Sequence, residues 1–114
     1  MSIELTDILP GMDINYLIKN PASTFYGRVK GVSMKDAGID NEDLLVIDKS
    51  LEYKHGAIAV CVVNGDFTLK WIEIRNGKVF LVPANPDYEA IEVNDDDEFA
   101  VWGVVAYVVK KAWG

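Results

Sequence analysis

Residues 57–74, AIAVCVVNGDFTLKWIEI, contain two runs rich in β-branched and aromatic residues, and Asn64-Gly65 separates the two runs. A two-residue Asn-Gly between such runs predicts a β-hairpin, because a type I′ turn needs positive φ at both central positions. In a strand, the side chains of the second run alternate between two faces. Phe67, Leu69 and Trp71 then share one face, and Thr68, Lys70 and Ile72 share the other. The stretch therefore predicts antiparallel strand pairing.

The rest of the chain predicts further strands and little helix. Asn76-Gly77 repeats the turn signal, and the apolar run at 44–47 is typical of a strand buried on both faces. A short helical turn is predicted over 34–37, ended by Gly38, and further strands over 24–30, 78–82 and 99–109. We therefore predict a mostly-β domain over residues 21–114. Residues 1–20 predict an N-terminal arm that either packs through Ile14, Leu17 and Ile18 or is mobile.

Composition and charge restrict the class of protein. The chain has 114 residues and a formal net charge of −7, with 50% hydrophobic and 25% charged residues, which indicates one globular domain rather than disorder. The acidic balance favours protein partners over direct nucleic-acid binding. Contacts between basic residues and phosphates supply most non-specific affinity for nucleic acids, and an acidic chain repels the phosphate backbone overall. No run approaches the roughly 20 apolar residues of a membrane span, and the N-terminus lacks signal-peptide features. We expect a cytoplasmic protein without membrane contact.

Residues that usually build metal or nucleophile sites are scarce. Cys61 and His55 each occur once, which excludes an intramolecular disulfide and a cysteine-built zinc site. Cys61 alternates with small apolar residues in a strand and is predicted to lie in the core. The acidic run at 95–98 is predicted to be a solvated turn. We expect no metal ion and no cofactor.

Lys70 is an ionisable residue inside an otherwise apolar predicted strand. The common explanation is a surface lysine on a solvated strand face, because lysine is rarely fully buried. The alternative is a buried amine with a lowered pKa, since burial disfavours the charged form. Such a neutral amine can act as a general base or a nucleophile near pH 7. The strand pattern alone favours the surface lysine.

Ser33 follows a predicted strand within Gly31-Val32-Ser33-Met34 and precedes a predicted helical turn. A serine in this position is usually a helix N-cap. It can also be a nucleophile whose neighbouring N–H groups stabilise an oxyanion. The usual nucleophile elbow needs glycine two residues after the serine, where this chain has Lys35. With one histidine available, a Ser–Lys pair is the natural arrangement for a serine nucleophile in this chain.

Several short motifs follow one another in an order that is more specific than any one of them. They are GVSM at 31–34, AGI at 37–39, DLLVID at 43–48, HGAIAV at 55–60, NGDFTLKW at 64–71, PANP at 83–86 and VWGVV at 101–105. This series resembles the catalytic domain of the LexA/UmuD family of Ser–Lys self-cleaving peptidases, from about residue 20 to about residue 110. The resemblance implies twisted, partly barrel-like β-sheets with a short helical turn after the nucleophile.

The resemblance also implies roles for individual residues. Ser33 matches the nucleophile and Lys70 matches the general base. Thr68, on the same strand face as Lys70, matches a threonine that helps to orient the lysine. Met34 and the Ser33 amide lie where the oxyanion donors cluster in the family. In such a site Lys70 must be unprotonated, so the resemblance favours a buried Lys70 over a surface one.

Within the family the resemblance is strongest to the UmuD branch in its processed UmuD′ form. It implies an SOS-response accessory subunit of translesion DNA polymerase V that dimerises, binds a UmuC-type polymerase subunit and engages the RecA filament. The dyad would serve autocleavage of the precursor or cleavage of a UmuD- or LexA-type substrate in trans. The valine-rich stretch at 104–109 suggests an edge strand that pairs in a homodimer.

Two features depart from the family pattern. Val32 stands where the family usually has a polar or acidic residue. The family cleaves itself between a small residue and glycine before the nucleophile, whereas the one Ala-Gly pair in this chain is Ala37-Gly38. We therefore expect no cis substrate in this chain, which starts near the start of the processed form.

Three other classes of protein stay open. One is the peptidase domain of a LexA-like or phage-type repressor whose DNA-binding domain is missing. Another is a signal-peptidase relative, which would need a membrane anchor. The third is a non-enzymatic β-domain in which Ser33 and Lys70 are far apart.

Overall fold

The computed structural model describes residues 17–31 and 34–112. Seven strands lie in these ranges: β1 Thr24–Arg28, β2 Leu44–Asp48, β3 Ile58–Val63, β4 Asp66–Arg75, β5 Lys78–Val82, β6 Ile91–Glu92 and β7 Phe99–Val109. Two 3₁₀ helices, Pro21–Ser23 and Lys35–Ala37, precede β1 and β2. All strand pairs are antiparallel and form one sheet in the order β1-β2-β7-β3-β4-β5-β6. The mostly-β prediction is confirmed.

The turn residues adopt the backbone angles that the sequence predicts. Asn64 and Gly65, between β3 and β4, have φ values of 49° and 86°, and Asn76 and Gly77, between β4 and β5, have 50° and 77°. Positive φ at both positions is the type I′ requirement, so both hairpin predictions are confirmed. Gly38 has φ 75° and ends the 3₁₀ helix after Ala37, as predicted. The two-residue strand β6 and the helix Pro21–Ser23 carry no strong sequence signal and were not predicted.

The last strand, β7, joins the two halves of the sheet. Residues 99–104 pair with β3, and residues 104–109 pair with β2 on the other side. The prediction of β7 as an edge strand is therefore wrong, because valines favour any strand and do not specify its neighbours. The outer strands of the described sheet are β1 and β6.

Two core clusters cover different faces of the sheet. The first contains Met34, Ile39, Leu45, Ile47 and Ala84. The second contains Ala59, Cys61, Ile72 and Leu81. Leu69 and Trp71 of β4 pack against the first cluster, whereas Ile72, on the other face of β4, belongs to the second. Both faces of β4 are therefore covered, and Cys61 lies in the core as predicted.

A buried carboxylate ties the start of the described chain to β2. Asp48 accepts hydrogen bonds from Asn20 Nδ2 at 2.9 Å and Ser23 Oγ at 3.1 Å. Ser50 donates from its backbone N at 2.8 Å and from its Oγ at 2.6 Å. Led by the Asn20 bond, these donors lower the pKa of Asp48 to about 2. Donors that favour the charged form make the ionised carboxylate part of the folded state.

Replacing this carboxylate should reduce stability in a pH-dependent way. Because the pKa of Asp48 is lower in the folded chain than in the unfolded chain, its contribution is fully present above about pH 4 and disappears as the pH falls towards 2. We expect Asp48→Asn to unfold several degrees below the wild type at pH 7, with the difference shrinking towards pH 2. Thermal unfolding followed by circular dichroism measures both effects. Asp95→Asn, in an exposed turn, is the control, and equal melting temperatures for Asp48→Asn and wild type at pH 7 would contradict the assignment.

Candidate active site

Lys70 lies in the middle of β4, opposite Ala59 of β3. It is buried, with 9% of the residue exposed, and its Nζ donates a hydrogen bond to the Leu69 carbonyl oxygen at 3.2 Å. The interpretation of Lys70 as a surface lysine is therefore wrong. The strand pattern favoured the surface because period-two alternation usually reflects one solvated face, whereas both faces of β4 are covered in this fold.

Burial controls the acid–base chemistry around Lys70. Desolvation lowers the pKa of the Lys70 amine, because burial disfavours the charged form, and the charge of a Cys61 thiolate would oppose this shift. Burial also raises the pKa of Cys61 to about 11. Cys61 is thus a protonated, fully buried thiol at neutral pH and is unsuited to be a nucleophile. Lys70 is the group in this part of the fold whose lowered pKa suits a general base.

Thr68 precedes Lys70 by two residues and lies on the same face of β4. It is half-buried and pairs with Cys61 of β3. Its position is compatible with the role that the resemblance implies, orienting the lysine side chain. That role stays a prediction.

Ser33 and Val32 lie outside the described residues, but the chain on both sides of them is anchored. Gly31 has φ 101°, and its N–H donates to Asn41 Oδ1 at 3.0 Å. On the other side Met34 is buried, and its carbonyl oxygen accepts hydrogen bonds from the N–H groups of Ala37 and Ile39 at 3.0 and 3.3 Å. In the sequence, Ser33 is therefore two residues after a glycine with positive φ and one residue before a methionine that is buried in the core.

The alternative role of Ser33 as a helix cap lies outside the described residues, as its nucleophile role does. The 3₁₀ helix runs from Lys35 to Ala37, and its cap residue is Met34, whose side chain makes no capping hydrogen bond. The nucleophile role of Ser33 and the oxyanion role of Met34 stay predictions.

One hydrophobic cluster links the strand of the lysine to the residue after the serine. Leu69 and Trp71, the chain neighbours of Lys70, pack against the cluster that contains Met34 and Ala84. Because close-packed interiors transmit displacement, β4 and the segment after Ser33 are held in a fixed relation. The described structure thus packs Leu69 and Trp71, the chain neighbours of Lys70, against the cluster of Met34, whereas Thr68 and Lys70 lie on the other face of β4.

His55 is exposed, and its Nδ1 accepts a hydrogen bond from the Ile74 N–H at 3.0 Å, which gives the ring a structural role. No group of three or more His, Cys, Asp or Glu residues within 17–31 and 34–112 could hold a metal ion. Over the same ranges, no helix has both the length and the apolar character to cross a membrane.

Comparison with known proteins identifies the family. The model of the family described as Peptidase S24-like matches residues 6–106, almost the whole chain. The chain belongs to this family. The result confirms the resemblance to LexA/UmuD-type Ser–Lys peptidases.

Individual relatives in the family differ in how much of their length the chain covers. Protein MucA of Salmonella typhimurium is 37% identical over 81% of this chain, and the match spans 63% of MucA. Protein SamA of the same species is 35% identical over 88% of this chain and is matched over 69% of its length. The LexA repressor of Bordetella pertussis is 37% identical over 73% of this chain, which is 38% of the repressor. The chain thus spans less than two thirds of MucA and of this repressor.

Sequence reasoning gave no role to residues 83–85, which the structure places beside the segment that follows Ser33. Ala84 is buried in the cluster with Met34, and Asn85 is a buried polar residue. The signal was the PANP motif at 83–86, which contributed to the resemblance without any assigned chemistry. Contacts made by the backbone of Ala84 depend on tertiary packing and have no signature in the sequence.

Proposed function

We propose that the chain is a Ser–Lys peptidase domain in which Ser33 is the nucleophile and Lys70 is the general base. The observation that supports it is Lys70 itself: a buried strand lysine whose pKa is lowered by burial, in a Peptidase S24-like chain. A buried lysine without a function would only destabilise the fold, because removing a charged group from water costs free energy. Perturbed ionisable groups of this kind cluster at functional sites.

The chemistry needs only these two side chains and water. The neutral Lys70 Nζ takes the proton of the Ser33 hydroxyl while Ser33 Oγ forms a bond to the carbonyl carbon of a peptide. The peptide C–N bond then breaks, and the leaving amine takes the proton from Lys70. Water cleaves the resulting ester, with Lys70 again moving the proton, and returns Ser33 to its hydroxyl form. Backbone N–H groups at Ser33 and Met34 would stabilise the oxyanion.

The pH dependence of cleavage tests the base. Since burial lowers the pKa of Lys70, the rate should rise with pH as the amine loses its proton and reach half its maximum below the ordinary lysine value of about 10.4. The measurement is cleavage in trans of a UmuD- or LexA-type substrate from pH 6 to pH 11, with Ser33→Ala as the blank. A half-maximal rate at or above the ordinary lysine value would contradict a buried base.

The biological role that we infer is that of a UmuD′-like accessory subunit of an SOS-response translesion DNA polymerase. Similarity covers 63% and 69% of MucA and SamA but 38% to 44% of LexA repressors from two Bordetella species, so more of the first two proteins is accounted for by this domain. The net charge of −7 suits protein partners. The partners would be a second copy of the chain, a UmuC-type polymerase subunit and the RecA filament in the cytoplasm.

Direct binding tests this role. The immobilised chain should bind a UmuC-type polymerase subunit, and Ser33→Ala should bind equally well, because the dyad is not needed for binding. Absence of binding by both forms would refute the accessory-subunit role and leave the peptidase proposal unaffected.

The second candidate is the peptidase domain of a LexA-like repressor. Its support is the identity of 37% with the Bordetella pertussis repressor, equal to that with MucA. In that case the chain should cleave a LexA-type substrate in trans and should not bind the polymerase subunit. The two assays together separate the candidates.

A further inference from the structure

The segment formed by residues 83–85, termed the 83–85 link, connects the strand of the lysine to the segment after the serine. It leaves β5 directly after Val82, which pairs with Trp71 of β4. The pairing ends at Val82, and the same antiparallel register extended by one residue would set Pro83 opposite Lys70. All three residues of the link are buried.

Ala84 contacts the segment after Ser33 through both of its backbone polar groups. Its carbonyl oxygen accepts a hydrogen bond from the Asp36 N–H at 2.6 Å. Its own N–H donates to Met34 Sδ at 3.4 Å. Met34 and Asp36 are the first and third residues after Ser33, so the link contacts the chain immediately beyond the predicted nucleophile.

Asn85 closes the turn that orients the link. Its side-chain Oδ1 accepts a hydrogen bond from the Asp87 N–H at 3.0 Å, and its carbonyl oxygen accepts one from the Tyr88 N–H at 3.1 Å. An asparagine that bonds the backbone two residues ahead stabilises a turn. Asn85 is only 3% exposed, and a buried amide is costly unless its hydrogen bonds serve the fold. These two bonds hold the turn at 85–88, which begins directly after Ala84.

We propose that Asn85 is a positioning residue for the dyad: it fixes the 83–85 link, and the link holds the chain after Ser33 at a set distance from Lys70. This inference rests on the proposed Ser33–Lys70 chemistry. Proton transfer from hydroxyl to amine requires hydrogen-bond distance, and a misplacement of about 1 Å can cost about 100-fold in rate. Loss of the Asn85 side chain should therefore affect the chemical step more than substrate binding.

Three variants test the proposal by cleavage in trans. We expect Asn85→Ala to lower kcat by about 10- to 100-fold with little change in KM and an unchanged midpoint of the pH–rate profile. Asn85→Ser should recover part of the rate, because its hydroxyl can accept the Asp87 N–H more weakly. Asn94→Ala, which changes an exposed asparagine, is the matched control and should keep the wild-type rate.

Amide hydrogen exchange gives a readout that does not need activity. In Asn85→Ala the Asp36 amide, which donates to Ala84, should exchange at least about 10-fold faster, while amides of the β3–β7 pairing keep their protection. If Asn85→Ala does not fold, Asn85→Ser takes its place in both assays. Unchanged Asp36 exchange and an unchanged kcat in a folded variant would overturn the positioning role. If the wild type cleaves no substrate, the dyad proposal fails, and Asp36 exchange alone decides whether Asn85 holds the link.

Discussion

Replacing Lys70 by alanine is expected to lower the rate of peptide cleavage in trans by about 100- to 10,000-fold at pH 8. That is the range a positioned general base contributes, and no other group described near β4 has a pKa lowered by burial in the way that the Lys70 amine has. Ser33→Ala should abolish cleavage, because it removes the atom that forms the covalent bond. Cleavage is measured by appearance of the two product fragments of a UmuD- or LexA-type substrate.

The control for Lys70→Ala is Lys78→Ala. Lys78 is also a strand lysine, but its side chain is 67% exposed and pairs with Glu92, so its removal changes charge without touching the buried site. We expect Lys78→Ala to cleave at the wild-type rate. A Lys70→Ala variant that keeps the wild-type rate would refute Lys70 as the base, and loss of activity in Lys78→Ala as well would indicate a general charge effect.

The turns of this fold were the most predictable part from sequence. Asn64-Gly65 and Asn76-Gly77 specify positive φ locally, so both hairpins follow from the residues alone. The strands that pair with β7 could not be predicted in this way, because strand pairing depends on packing over the whole sheet. The dipeptide strand β6 is likewise held by its pairing with β5 rather than by local preference.

The burial of Lys70 could not be predicted from the local strand pattern alone. The alternation along β4 correctly predicted that Lys70 lies on the other strand face from Leu69 and Trp71. It could not show that a second cluster covers the face that Lys70 shares with Ile72. Only the family resemblance favoured burial. The catalytic assignment of Ser33, which the described ranges do not include, still rests on its motif. The contacts of Ala84 could not be predicted because any residue has the backbone groups that make them.

Truncating Ile72 to alanine should destabilise the fold strongly. Ile72 is 0% exposed and belongs to the cluster with Ala59, Cys61 and Leu81, so its removal leaves a cavity in a close-packed region. Substitutions of this kind cost about 2–5 kcal/mol, which corresponds to a melting temperature lower by more than about 8 °C. Chemical denaturation and thermal unfolding of the variant measure both quantities.

The matched control lies on the same strand and the same face. Ile74, two residues beyond Ile72, is 40% exposed, so Ile74→Ala removes the same atoms from a site that water already reaches. It should cost well under half of the Ile72→Ala effect, because little cavity forms and less apolar area returns to water. Equal losses at the two positions would show that the side chain of Ile72 is not enclosed. The cluster that buries the Lys70 face of β4 would then be less tightly packed than its exposures indicate, and the lowered pKa of Lys70 would lose its physical cause.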